Sequence, residues 1–99
     1  MKEIYQSIAD FEHAIQSGLV YIGTGCKDSK GREIGYIVGL NNNGIDFAAW
    51  VQNARKVNGE WKEFGVQQRS RSFPSQAFAT SWAYATASVR RHNVRSRSI

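Results

Sequence analysis

Ninety-nine residues, 41% of them apolar and 12% aromatic, make one domain, long enough to bury roughly two thirds of its unfolded surface in one core. The lone Cys26 excludes an internal disulfide, and no stretch has the length of a signal-peptide core or a membrane span, so the chain reads as cytoplasmic with no membrane partner. The net charge of +5 is uneven: residues 1–63 sum to −1, whereas residues 64–99 carry six arginines and no acid. The guanidinium fork suits phosphate, aromatic faces and carboxylates. An anionic partner and a solvated basic tail both account for that bias.

In chain order, Ile4, Ile8, Phe11 and Ile15 recur at spacings of four, three and four, one face of a helix that Gly18 stops. Ser7, with Asp10 three residues on, alternatively caps a shorter helix starting near Ile8. His13 lies off the apolar stripe and is expected to be exposed. Residues 19–26 and 32–40 are β-rich and joined by Asp28-Ser29-Lys30-Gly31, a hairpin whose Gly31 supplies positive φ. Asn41-Asn42-Asn43-Gly44 is a second turn, and Asn58-Gly59 is the strongest two-residue hairpin signal. Three turns imply four antiparallel strands. Glycines within the first hairpin, Gly23, Gly25, Gly35 and Gly39, mark bends or places where a helix or another backbone packs close.

The last segment opens with Phe73-Pro74-Ser75, Ser75 being the expected N-cap. Phe78, Trp82, Ala85 and Val89 form the apolar stripe, with Phe78 and Trp82 assigned to packing. Ala77, Ala79, Ala83 and Ala87 favour helix and permit close approach to a sheet. Arg90, Arg91 and His92 fall in the expected last turn, where positive charge complements the helix dipole. Residues 1–92 therefore read as a single α+β domain, a four-stranded antiparallel meander flanked by an amino-terminal and a carboxy-terminal helix (α-β-β-β-β-α). Residues 93–99 read as a basic flexible tail.

With a two-residue loop at Asn58-Gly59, Val57 faces Glu60, Lys56 faces Trp61, Asn53 faces Phe64, Val51 faces Val66 and Trp50 faces Gln67. One face then carries Phe47, Ala49, Val51, Phe64 and Val66, the set expected to meet the helices. The other carries Trp50, Gln52, Lys56, Trp61, Glu63, Gln67, Arg69 and Arg71. Arginine grips phosphate or the guanine edge, glutamine reads adenine, and exposed tryptophan stacks on bases. The competing outcomes are burial of Trp50 and Trp61 under the amino-terminal helix, or a bulge that breaks the parity.

Residues 45–91 run through a strand, an Asn-Gly turn, a second strand, the entry Arg71-Ser72-Phe73-Pro74-Ser75 and an alanine-rich helix bearing Trp82-Ala83. In that order they resemble the arm-type DNA-binding module of phage integrases, itself similar to the plant AP2 domain. The resemblance implies a sheet laid in the major groove of duplex DNA, with Trp50, Gln52, Lys56, Trp61, Gln67, Arg69 and Arg71 facing it. No catalytic domain follows, and an extra helix and hairpin precede the matching half. The format is also similar to small phage and plasmid accessory proteins, including anti-CRISPR and anti-restriction inhibitors, which implies a bacterial host cell and a host protein as alternative partner. His13 and His92 lie on different terminal helices, and no His/Cys cluster has metal spacing, so no enzyme, metal or cofactor is expected. The expectation is a nucleic-acid-binding domain using the sheet residues together with Arg90, Arg91, Arg95 and Arg97.

Overall fold

The computed structural model describes residues 7–97. Helix α1, Ile8–Gln16, takes the shorter of the two expected forms: Ser7 is its N-cap, with Oγ accepting the Asp10 N–H at 3.2 Å. Ile4 lies outside the described residues. Phe11 and Ile15 are buried, and Gly18, at φ +141°, carries the chain into the sheet.

The sheet runs in the order β1 (Val20–Lys27), β2 (Glu33–Asn42), β3 (Phe47–Val57), β4 (Glu60–Glu63), all neighbours antiparallel, as the turns predict. A short β5, Gln68–Arg69, pairs with β3 on the edge that β4 vacates. Strand β1 bulges: Gly23 opposes Gly35 and Lys27 opposes Glu33, so Thr24, Gly25 and Cys26 share one partner. Gly25 takes φ +76°, and the buried Thr24 hydroxyl donates to Ile34 O at 2.6 Å while accepting from Cys26 N. At the first hairpin the Asp28 carboxylate accepts N–H groups from Arg32 and Lys30 and the Arg32 guanidinium; the Arg32 backbone bond foremost holds its carboxyl below the usual range. The second turn sits two residues later than expected, at 43–46, because Asn43 Oδ1 accepts both Ile45 N and Asp46 N.

The Asn58-Gly59 turn has both residues at positive φ, and Val57 opposes Glu60 and Lys56 opposes Trp61 as expected. Past Glu63 the expected register fails. Val51 opposes Gln68 rather than Val66, and Trp50 opposes Arg69 rather than Gln67. Two extra residues enter the edge at 64–67, where Gly65 adopts φ +74° and turns the chain outward. Val66, expected in the core, is 90% exposed, and Phe64 is exposed with Arg55 stacked 3.9 Å from its ring centroid. Because the insertion is even-numbered, Arg69 stays on the face of Trp50.

Helix α2, Gln76–Arg97, is capped by Ser75 Oγ, which accepts Phe78 N at 3.3 Å. It is rotated about one residue from the expected stripe. Ala79, Thr80, Ala83 and Ala87 are buried, whereas Phe78 is 60% exposed and Val89 58% exposed. Small side chains let the helix axis close on Val38, Ala49 and Val51, and no gap remains for Phe78, which instead rests against Phe73 with ring centroids 6.4 Å apart. Trp82 keeps a packing role at the core margin. The expected tail is helical through Arg97: Val94 packs on the core and Arg95 bonds Thr24 O, giving residues 93–97 a surface to lie on. Residues 98–99 lie outside the described residues.

Phe11 and Ile15 join Val20, Ile22, Tyr36 and Val38 in the core with the α2 alanines, and Phe11 meets Tyr84 edge to face at 5.3 Å. Both helices therefore cover the same face of the sheet. Among the described residues no helix is long and apolar enough to cross a membrane.

Candidate nucleic-acid interface

Strand alternation places Tyr21, Gly35, Ile37, Gly39, Trp50, Gln52, Ala54, Lys56, Trp61 and Arg69 on the side of the sheet away from α1 and α2. The glycines and tryptophans of this side fit one another. A first side-chain carbon at Gly39 would stand 2.5 Å from Trp50 Nε1 and closer still to two carbons of the indole. One at Gly35 would stand 2.5 Å from two ring carbons of Trp61 and 2.6 Å from Ile22 O. Each indole thus lies across a bare stretch of β2 backbone. Trp61 starts from β4 and reaches Gly35 past β3, where Ala54, fully buried, leaves room. At about 3.3 Å per residue the two seats are about 13 Å apart along β2. Ile37, 3% exposed, lies between them and is flanked across the strands by Tyr21 and Gln52.

Both tryptophans are half-buried, and neither belongs to the core that α1 and α2 cover. Arg69 is directly opposite Trp50; its Nε donates to Gln67 Oε1 at 3.2 Å, and its Nη groups make no hydrogen bond to the described residues. Lys56 Nζ lies 5.4 Å from the Trp61 ring centroid. Gln52 Nε2 donates to Gly65 O at 2.8 Å, so its amide pins the 64–67 loop. A cleft of about 760 Å³ is lined by Trp50 together with Ile15 and Gln16 of α1, Leu19, Leu40 and Phe47.

The remaining arginines of the expected site lie elsewhere. Arg71 stacks 4.6 Å from the Phe73 ring centroid. Arg90 donates to Asn53 Oδ1 at 3.3 Å and to Gln68 Oε1, and its guanidinium lies over Tyr36, whose hydroxyl donates to Arg90 O. Burial pushes the Tyr36 phenol up from its ordinary value. Arg91 Nε donates to Gly23 O at 3.1 Å and Arg95 Nη1 to Thr24 O at 3.2 Å, so an i, i+4 pair clamps the β1 bulge. Arg97 is exposed in the last turn. Among the described residues, none of these arginines forms an ion pair with a carboxylate. The structure brings together Trp50, Gln52, Gln67 and Arg69, with Lys56 and Trp61 further along the same face, and separates them from Arg90, Arg91 and Arg95.

Gly35 and Gly39 belong to this face and were missed as its supports. Their signal was present: two glycines four residues apart on one strand, at the same parity as two tryptophans on the strands that follow. The class these features define is an α+β domain with both helices on one face of an antiparallel sheet and a tryptophan-bearing second face. Comparison with protein-family models, curated proteins and solved structures finds no match for the chain.

Proposed function

We propose that the chain is a non-enzymatic nucleic-acid-binding domain that works through the sheet face away from its helices. The observation that carries this reading is the pairing of Trp50 with Arg69 across the β3–β5 ladder, an aromatic surface beside a cation with no acidic partner among the described residues. The resemblance of residues 45–91 to arm-type modules agrees in using the sheet rather than a helix. The positive charge of Arg90, Arg91, Arg95 and Arg97 adds long-range attraction for a polyanion although three of these side chains also brace the fold.

Phosphate contacts release counterions, so affinity falls with salt by a log-log slope of about −0.9 per phosphate on duplex DNA and about −0.7 on single strands. Titration of labelled oligonucleotides at two salt concentrations is expected to show this fall, with Arg69→Ala reducing affinity and slope. Absence of binding at low salt, or indifference to Arg69→Ala, would overturn the reading.

The second reading, an accessory protein that binds and inhibits a host protein, is favoured by Val66, an apolar side chain at the tip of the 64–67 loop. Stoichiometric recovery of one protein from nuclease-treated bacterial lysate, lost in Val66→Asp, would support it.

A further inference from the structure

We infer that the nucleic acid this face takes is single-stranded, with an unpaired base stacked on Trp50 and the adjoining phosphate held by Arg69. The inference rests on the nucleic-acid reading and adds the substrate class. Trp50 lies across Gly39 so closely that any side chain at 39 would collide with it. An indole held against the sheet in this way turns its opposite side outward, and Trp50 is half-buried rather than enclosed.

Such a ring offers a π-surface and one N–H donor. A duplex keeps its base faces inside its own stack and presents edges and phosphates, which this ring is badly placed to read. A single strand has free base faces, and stacking on them tolerates any sequence. The amide best suited to reading an edge, Gln52, is already committed to Gly65 O. Directly opposed residues of an antiparallel pair have Cβ atoms about 5 Å apart, which brings the Arg69 side chain within reach of a phosphate next to a base on Trp50. Gln67 orients it through Nε and leaves the Nη pair directed at an anion. Trp61, seated on Gly35 in the same way, lies further along β2 and gives the strand a direction to run across the sheet.

The test uses the full chain and labelled oligonucleotides of about ten nucleotides, single-stranded and as the matching duplex, at low salt, with indole fluorescence read in parallel. Single strands are expected to bind at least about fivefold more tightly than the duplex, the smallest worth of one base stack, and to quench indole emission. Trp50→Ala is expected to weaken single-strand binding by about 5- to 150-fold, the span of one lost base stack. Trp50→Phe, which keeps a ring on Gly39, retains most of the affinity and guards against a folding defect. Equal or tighter duplex binding, or an unchanged affinity in a folded Trp50→Ala, overturns the inference while leaving nucleic-acid binding in place. Failure of both substrates to bind removes the inference and the reading beneath it together.

Discussion

The two faces of this sheet solve opposite packing problems. On the helix side the sheet supplies bulk, with Val20, Ile22, Tyr36, Val38 and Val51, and the helix yields with Ala79, Ala83 and Ala87. On the other side β2 yields, with Gly35 and Gly39, and the sheet's own neighbouring strands supply the bulk as Trp50 and Trp61. Helix burial removes apolar surface from water completely, whereas an indole laid on its own sheet stays partly wet. The first arrangement makes stability, and the second leaves part of the Trp50 ring in contact with water.

The difference predicts a gap in mutational cost. Phe11→Ala removes a fully buried ring that meets Tyr84 and is expected to cost about 3–5 kcal/mol, a large part of the roughly 5–15 kcal/mol that holds a domain folded. Trp50→Ala takes away a larger but only partly buried ring and is expected to cost less, read as a smaller drop in urea midpoint. Equal losses would show that the tryptophan face is a second core and end the comparison.

The glycine seats sharpen the same contrast from beneath. Gly35→Ala and Gly39→Ala both overpack, at about 1–3 kcal/mol. Gly35→Ala is expected to be the worse, because its new carbon meets the Ile22 carbonyl as well as Trp61, and backbone cannot swing away as the Trp50 ring can. Combining Gly39→Ala with Trp50→Ala is expected to cost less than the sum of the two. Strict additivity would mean that ring and glycine do not support each other.

Much of this was readable from residue types and their spacing. The helix–sheet–helix order, the Asn58-Gly59 turn and the register from Val57 back to Ala54 follow from turn chemistry and alternation. Three features did not, each for a physical reason. The extra pair at 64–67 depends on Gly65 leaving the strand, and alternation has no means of marking where a glycine uses its freedom. The rotation of α2 reflects close approach winning over side-chain hydrophobicity: a stripe of alanines beat a stripe containing Phe78. The helix extends past His92 because Val94 and Arg95 find tertiary partners, which local propensity does not contain. Trp50 and Arg69 were placed on one face by parity, although the residue directly across from Trp50 was expected to be Gln67.

Tyr36 ties the buried side to solvent conditions. Tyr36→Phe removes the hydroxyl that donates to Arg90 O and is expected to cost about 1 kcal/mol. Burial raises the folded phenol above its ordinary pKa of 10.0, so the unfolded chain ionises first. Its stabilisation is therefore complete below about pH 10 and is lost as pH rises through the folded value. Denaturant titrations above that pH are expected to show a steeper decline for wild type than for Tyr36→Phe.

The arginines provide the finest version of the comparison. Arg91 and Arg95 donate to the Gly23 and Thr24 carbonyls at the β1 bulge, so replacing either by alanine strands a carbonyl and is expected to cost about 1 kcal/mol. The Arg69 side chain makes only an exposed hydrogen bond to the Gln67 amide, and Arg69→Ala is expected to move stability by no more than about 0.5 kcal/mol while weakening oligonucleotide binding. The three variants share a charge change, so a purely long-range attraction would weaken binding equally in all of them. A loss concentrated in Arg69→Ala, with thermal stability unchanged there and lowered in Arg91→Ala and Arg95→Ala, separates the cation that serves a partner from the two that hold the edge strand.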